Sequence, residues 1–154
     1  MREIYGDMWS QKCHAVCITT NGIVYKGDDG ERRAVMGAGV ARQARERFPG
    51  IDKLLASCII KDGNRVHLLV ESGGALPYSL IAFPTKHNWR DPSPIGLIVE
   101  SSKQLKLLAD AKKWTQVILP KPGCRNGGLR WEDVKPIIEP FLDDRFFIID
   151  RRWS

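Results

Sequence analysis

The chain has 154 residues, 43% of them hydrophobic, with 24 Lys+Arg against 18 Asp+Glu and a formal net charge of +6. That size suits one domain, residues 1–154, with a core large enough to fold without disulfide or metal staples. No apolar run reaches the roughly 18 residues that cross a bilayer, and the amino terminus "MREIYGDMWS" has acidic residues and no apolar signal core, so a cytoplasmic monomer with no membrane partner is expected.

In chain order, Glu3 to Tyr5 and Ala15 to Thr19 read as strands. Cys13 and Cys17 lie four apart, so on a strand they would share one face as core residues. With Cys58 and Cys124 they lack the paired spacing of a zinc site and the density of a disulfide scaffold, and no metal is expected. The polar stretch "YKGDDGERR" (25–33), which holds Asp28 and Asp29, reads as a mobile surface loop. Val40 to Phe48 has helical spacing, with Pro49-Gly50 as its stop. "SCIIKDGNRVHLLVE" reads as a hairpin turning at Asp62-Gly63-Asn64, followed by a strand in "YSLIAF". A long helix spans Ile95 to Lys113, with Leu97, Ile98, Leu105, Leu108 and Ala109 recurring at steps of three and four. Thr115 to Leu119 is a strand, Trp131 to Ile138 a short helix, and Phe146 to Asp150 a closing strand. Alternating strands and helices predict a layered α/β domain with a mixed sheet, in which ligands collect at the carboxyl ends of strands.

Two glycine-rich segments, "VMGAGVAR" and "PKPGCRNGGLRWED", each lead into a helix. Backbone N–H groups of such loops converge on anions where the helix dipole also favours negative charge. Neither segment is a dinucleotide fingerprint, because Arg42 stands where Gly or Ala is needed, and there is no P-loop motif. Each is equally readable as a tight turn that binds nothing. Between the two lies "FPTKHNWRDPS" (83–93), a proline-flanked loop after an apolar run. Lys86 within it becomes a nucleophile if burial or neighbouring cations favour the neutral amine, and is otherwise a solvated surface lysine. His14 and His67 read as structural. Glu132-Asp133 sits in a helical first turn, where acids are favoured by the dipole. Trp89, Trp131 and Trp153 are candidates either for base stacking or for half-buried packing.

Taken together, "YGDMW", "CITTN", "VMGAGVARQARERFP", "FPTKHNWR" and "LPKPGCRNGGLRWEDVKPII", in that order, resemble the macrodomain family, a three-layer α/β/α fold that binds ADP-ribose. The similarity runs through most of the chain. It is greatest to the DNA ADP-ribosyl glycohydrolase (DarG) branch, whose closely similar "FPTK" segment carries a catalytic lysine, and more distant to terminal ADP-ribose protein glycohydrolase. The resemblance implies that Asp7 reads the adenine amino group with Met8 beside it. Gly37, Ala38, Gly39 and Val40 would wrap the diphosphate and distal ribose from one side, and Gly123, Cys124, Arg125, Asn126 and Gly127 from the other. Asn21 would approach the distal ribose, and Lys86 would attack or polarise its anomeric carbon. His87, Trp89 and Arg90 stay open between tuning that lysine, touching DNA and holding the loop.

The expected activity is therefore removal of ADP-ribose from modified DNA bases without a cofactor. The alternatives are an ADP-ribose reader, a hydrolase acting on ADP-ribosylated protein or ADP-ribose 1''-phosphate, and a generic nucleic-acid-binding module. Two departures bear on the choice. The 22–34 segment looks like an insertion beside the distal-ribose pocket. Asn126-Gly127 stands where the protein-directed enzyme uses an aspartate, which favours the DNA-directed branch. The carboxyl terminus "DRRWS" directly follows the last strand, so a stand-alone macrodomain is expected.

Overall fold

A computed structural model describes residues 1–151. Strands β1 (Arg2–Tyr5), β2 (Ala15–Thr20), β5 (His67–Val70), β6 (Ser79–Pro84), β7 (Val117–Pro120) and β8 (Phe146–Asp150) form one sheet in the order β1-β8-β7-β2-β6-β5. All neighbours are parallel except the edge strand β5, which runs antiparallel to β6. The remaining strands, β3 (Val24–Lys26) and β4 (Arg32–Ala34), make a separate two-stranded hairpin.

The period of two along each central strand divides the core into two halves. Ala15, Cys17, Ile81, Phe83, Val117, Leu119, Phe146 and Ile148 face the layer of α3 (Ile95–Lys112) and α4 (Trp131–Ile138). Val16, Ile18, Leu80, Ala82, Ile118 and Ile149 face α1 (Gly39–Arg47) and α2 (Ile51–Asp62). Strand β6 is buried on both faces along its whole length, as expected of a central parallel strand covered by helices on both sides. Each fully buried Phe83, Leu80 or Ile81 side chain contributes about 1.5–3 kcal/mol. The architecture is the expected three-layer α/β/α sandwich with a mixed sheet.

Three expectations are corrected. Residues 51–62 are helix α2, not the first arm of a hairpin, and Gly63, at φ 90°, caps that helix by donating its N–H to the Ile59 carbonyl. The partner of β5 is β6, reached through residues 71–78. The 22–34 segment is an ordered hairpin in which Arg33 bridges Asp29 (2.6 Å) and the buried Asp52 of α2 (3.3 Å). Finally, Cys13 precedes β2 and packs in the opposite half of the core from Cys17, so the two do not share a face. Among the described residues no helix is long and apolar enough to cross a membrane.

Candidate functional site

In the parallel part of the sheet, β1, β8, β7, β2 and β6 all present their carboxyl ends on one side. Asp7 follows β1, Asn21 follows β2, Lys86 follows β6, and the second glycine loop follows β7. The topology thereby gathers segments from distant parts of the chain at the edge where α/β folds place ligands.

The two glycine loops meet at Gly39 and Asn126. A Cβ on Gly39 would lie 3.0 Å from Asn126 Nδ2 and crowd that amide, and the left-handed φ of +56° itself favours glycine there. Gly37, Ala38 and Gly39 are exposed, Val40 is partly buried, and Ala38 caps α1 in extended conformation with no side-chain hydrogen bond. The first amides of α1 are therefore not satisfied by a cap and are oriented for an anion. In the second glycine loop Gly123 and Gly127 are buried, and the Gly123 carbonyl accepts the Leu129 N–H at 2.9 Å. Burial pushes the Cys124 thiol up to about 11, and it donates to the Pro122 carbonyl. It is thus a protonated wall residue and not a nucleophile at neutral pH.

Lys86 is partly buried, and its Nζ donates to the Asn126 carbonyl at 2.8 Å and to the Trp89 carbonyl at 3.3 Å. The amine thus touches the second glycine loop directly. Its backbone is fixed from behind. Thr85 N–H donates to the Thr20 carbonyl (3.0 Å), the buried Ser101 hydroxyl to the Pro84 carbonyl (2.7 Å), and Asn64 Nδ2 to the Lys86 carbonyl (2.9 Å). Asn64 is a positioning residue that sequence reading missed, because Asp-Gly-Asn there looked like hairpin turn chemistry. Ser93 was missed as well. It is 5% exposed, its N–H donates to the Gly127 carbonyl at 3.0 Å, and its hydroxyl lies beneath Gly127. A serine in a loop carries no sequence signal for that placement.

Other predicted residues occupy less direct positions. Asn21 uses both ends of its amide, donating to the Val35 carbonyl (2.9 Å) and accepting from Ile23 N–H (3.0 Å), so it ties the end of β2 to the base of the hairpin. Asp7 is exposed and its carboxylate accepts from Trp9 N–H at 3.1 Å, while Met8 is 7% exposed and belongs to the core. Arg125 reaches out of the loop to Asp150 at 2.7 Å. His14 Nδ1 lies 3.2 Å from the Thr115 N–H and His67 Nε2 2.8 Å from the Gly63 carbonyl, both structural contacts. Trp131 packs against the core and donates to Glu3 at 2.7 Å. Trp153 lies outside the described residues.

No family model matches the sequence. A DNA ADP-ribosyl glycohydrolase of Thermus aquaticus is 29% identical over 146 residues, which cover 93% of this chain and 38% of that protein. One from Mycobacterium tuberculosis is 34% identical over 104 residues, covering 66% and 30%. The chain thus spans well under half the length of these curated relatives. Among solved structures, the macrodomain of Mycobacterium tuberculosis DarG superposes with a TM-score of 0.77 at 26% identity, covering 96% of this chain and 95% of that one. Thermosipho africanus DarTG, solved in complex with ADP-ribose, gives a TM-score of 0.82 at 20% identity, covering 99% and 42%. The chain has the macrodomain fold and is similar in sequence and structure to the macrodomains of DarG.

Proposed function

We propose that the protein is an ADP-ribosyl hydrolase that releases ADP-ribose from modified bases in DNA, with Lys86 as the catalytic amine. The observation that carries this reading is the contact of Lys86 Nζ with the Asn126 carbonyl, which joins an amine to the place where the two glycine-rich loops meet. The similarity to proteins described as DNA ADP-ribosyl glycohydrolases supports the substrate, as does the net charge of +6 toward a polyanion.

The uncapped amides of α1 and the second glycine loop would hold the diphosphate between them, leaving the distal ribose at Lys86. Cleavage of a glycosidic bond builds positive charge on the sugar while the base departs with the electron pair and takes up a proton. A neutral amine beside the anomeric carbon can add to that electron-poor centre, and water later displaces it. Asn126, where a protein-directed enzyme would carry an aspartate, presents its backbone carbonyl to the amine and its amide to Gly39.

The test is release of ADP-ribose from thymidine-, guanosine-, glutamate- and serine-linked conjugates by wild type and Lys86→Ala. Activity on a nucleobase conjugate that falls by at least about 100-fold in the variant, with ADP-ribose still bound, is the expected result. Full activity of Lys86→Ala would exclude the lysine mechanism. Release from the protein-type conjugates alone would exclude the DNA substrate, and binding of ADP-ribose with no turnover on any conjugate would make the protein a reader.

A further inference from the structure

Trp89 is 47% exposed on a loop that is otherwise tied down. Gly22 N–H donates to the His87 carbonyl (3.1 Å), Asn64 to the Lys86 carbonyl (2.9 Å), Arg90 N–H to Asn88 Oδ1 (3.0 Å) and Ser93 N–H to the Gly127 carbonyl (3.0 Å). A loop so fixed holds a large aromatic ring in water instead of folding it away, a cost that binding can recover. Arg90 lies over the ring, its guanidinium carbon 4.8 Å from the centroid, and stiffens the indole from one side.

The backbone of this residue lies beside the amine proposed above as catalytic. The Trp89 carbonyl accepts from Lys86 Nζ at 3.3 Å. The group that leaves the sugar is bonded to the carbon the amine would attack, so it would depart beside the backbone that carries the exposed indole. A nucleobase offers a planar π face to an indole, whereas a glutamate or serine side chain offers none. We propose that Trp89, braced by Arg90, is the platform on which the ADP-ribosylated base of single-stranded DNA stacks. Arg90 also supplies positive charge for the adjoining phosphodiester. The inference rests on the hydrolase reading above and names the group that carries the ADP-ribose.

The experiment compares binding of free ADP-ribose with binding of a single-stranded oligodeoxynucleotide bearing one ADP-ribosylated base, in a Lys86→Ala background so that the conjugate persists. The oligonucleotide is expected to bind more tightly than ADP-ribose. Adding Trp89→Ala is expected to weaken it by about 10- to 100-fold, with ADP-ribose affinity unchanged within about two-fold, and Trp89→Phe to retain most of the advantage. Equal losses on both ligands would make Trp89 a structural part of the loop, and no loss on the oligonucleotide would remove the stacking role; either overturns the inference. If the conjugate binds through Trp89 yet wild type releases nothing, the platform stands and the hydrolase reading fails.

Discussion

A methyl group added to Gly127 and one added to Gly37 would meet very different surroundings, although both residues belong to the glycine-rich loops. At Gly127 the new Cβ would collide with Ser93 Oγ and the Gly123 carbonyl oxygen, and would sit 2.7 Å from Gly123 Cα. Two of those atoms are backbone, so the second glycine loop itself must move. Gly127→Ala is expected to cost about 1–3 kcal/mol of stability, read by thermal unfolding, and to weaken ADP-ribose binding at the same time. A Cβ on Gly37 meets nothing within 4 Å, and its φ is not left-handed. Gly37→Ala is therefore expected to unfold within about 0.5 kcal/mol of wild type. Its affinity for ADP-ribose should nevertheless fall at least about 10-fold, since the methyl occupies the path by which a diphosphate reaches the backbone amides. Calorimetric titration showing wild-type affinity for Gly37→Ala would remove the first glycine loop from the binding site.

Among the elements, α3, α4 and the parallel strands were legible because each carries one unbroken period with a clear stop. Helix α2 was not. Its apolar residues Ile51, Leu55 and Ile59 follow helical spacing, but Cys58-Ile59-Ile60 also forms a short β-like run before Asp62-Gly63-Asn64. Asp-Gly ends a helix as readily as it turns a hairpin, and only tertiary packing against β4 and β5 decides between them. The Lys86 segment was legible as a candidate, while its fastening by Asn64, Thr20 and Ser101 was not, since those contacts join residues 17 to 65 positions apart along the chain. The 22–34 hairpin was hidden for a related reason. Its sequence is polar and carries no apolar alternation, and its order depends on Arg33 spanning Asp29 and Asp52. Asp52 is 5% exposed, so removing Arg33 leaves a buried carboxylate without its cation. Arg33→Ala is expected to lower the denaturation midpoint, and pairing it with Asp52→Asn to recover part of the loss. Strictly additive losses in denaturant unfolding would show that the two residues are not coupled.

Across the whole molecule, the carboxyl edge of the sheet is held to the second glycine loop by charge. Asp150 ends β8, pairs in register with Tyr5 of β1, and accepts the Gly6 N–H on its carbonyl at 3.0 Å. Its carboxylate meets Arg125 at 2.7 Å and Lys121 at 3.1 Å. Partial burial alone would push this carboxyl up, but hydrogen bonds from Arg125, Lys121 and the Arg151 N–H together outweigh it and hold the group at about 2, below its ordinary 3.8. A carboxylate depressed on folding stabilises the native state above its unfolded value, and that contribution is lost as pH falls through the folded value. The contribution of Asp150 is therefore complete at neutral pH, begins to fade near pH 4 and is gone only once the pH has fallen below about 2. With solvent screening it amounts to about 1–2 kcal/mol. Asp150→Asn is expected to lower stability by that amount at pH 7, with the gap to wild type shrinking steadily from near pH 4 to pH 2, in chemical denaturation across that range. A gap between the two proteins that stays constant down to pH 2 would mean that the carboxylate's charge contributes nothing to holding the loop.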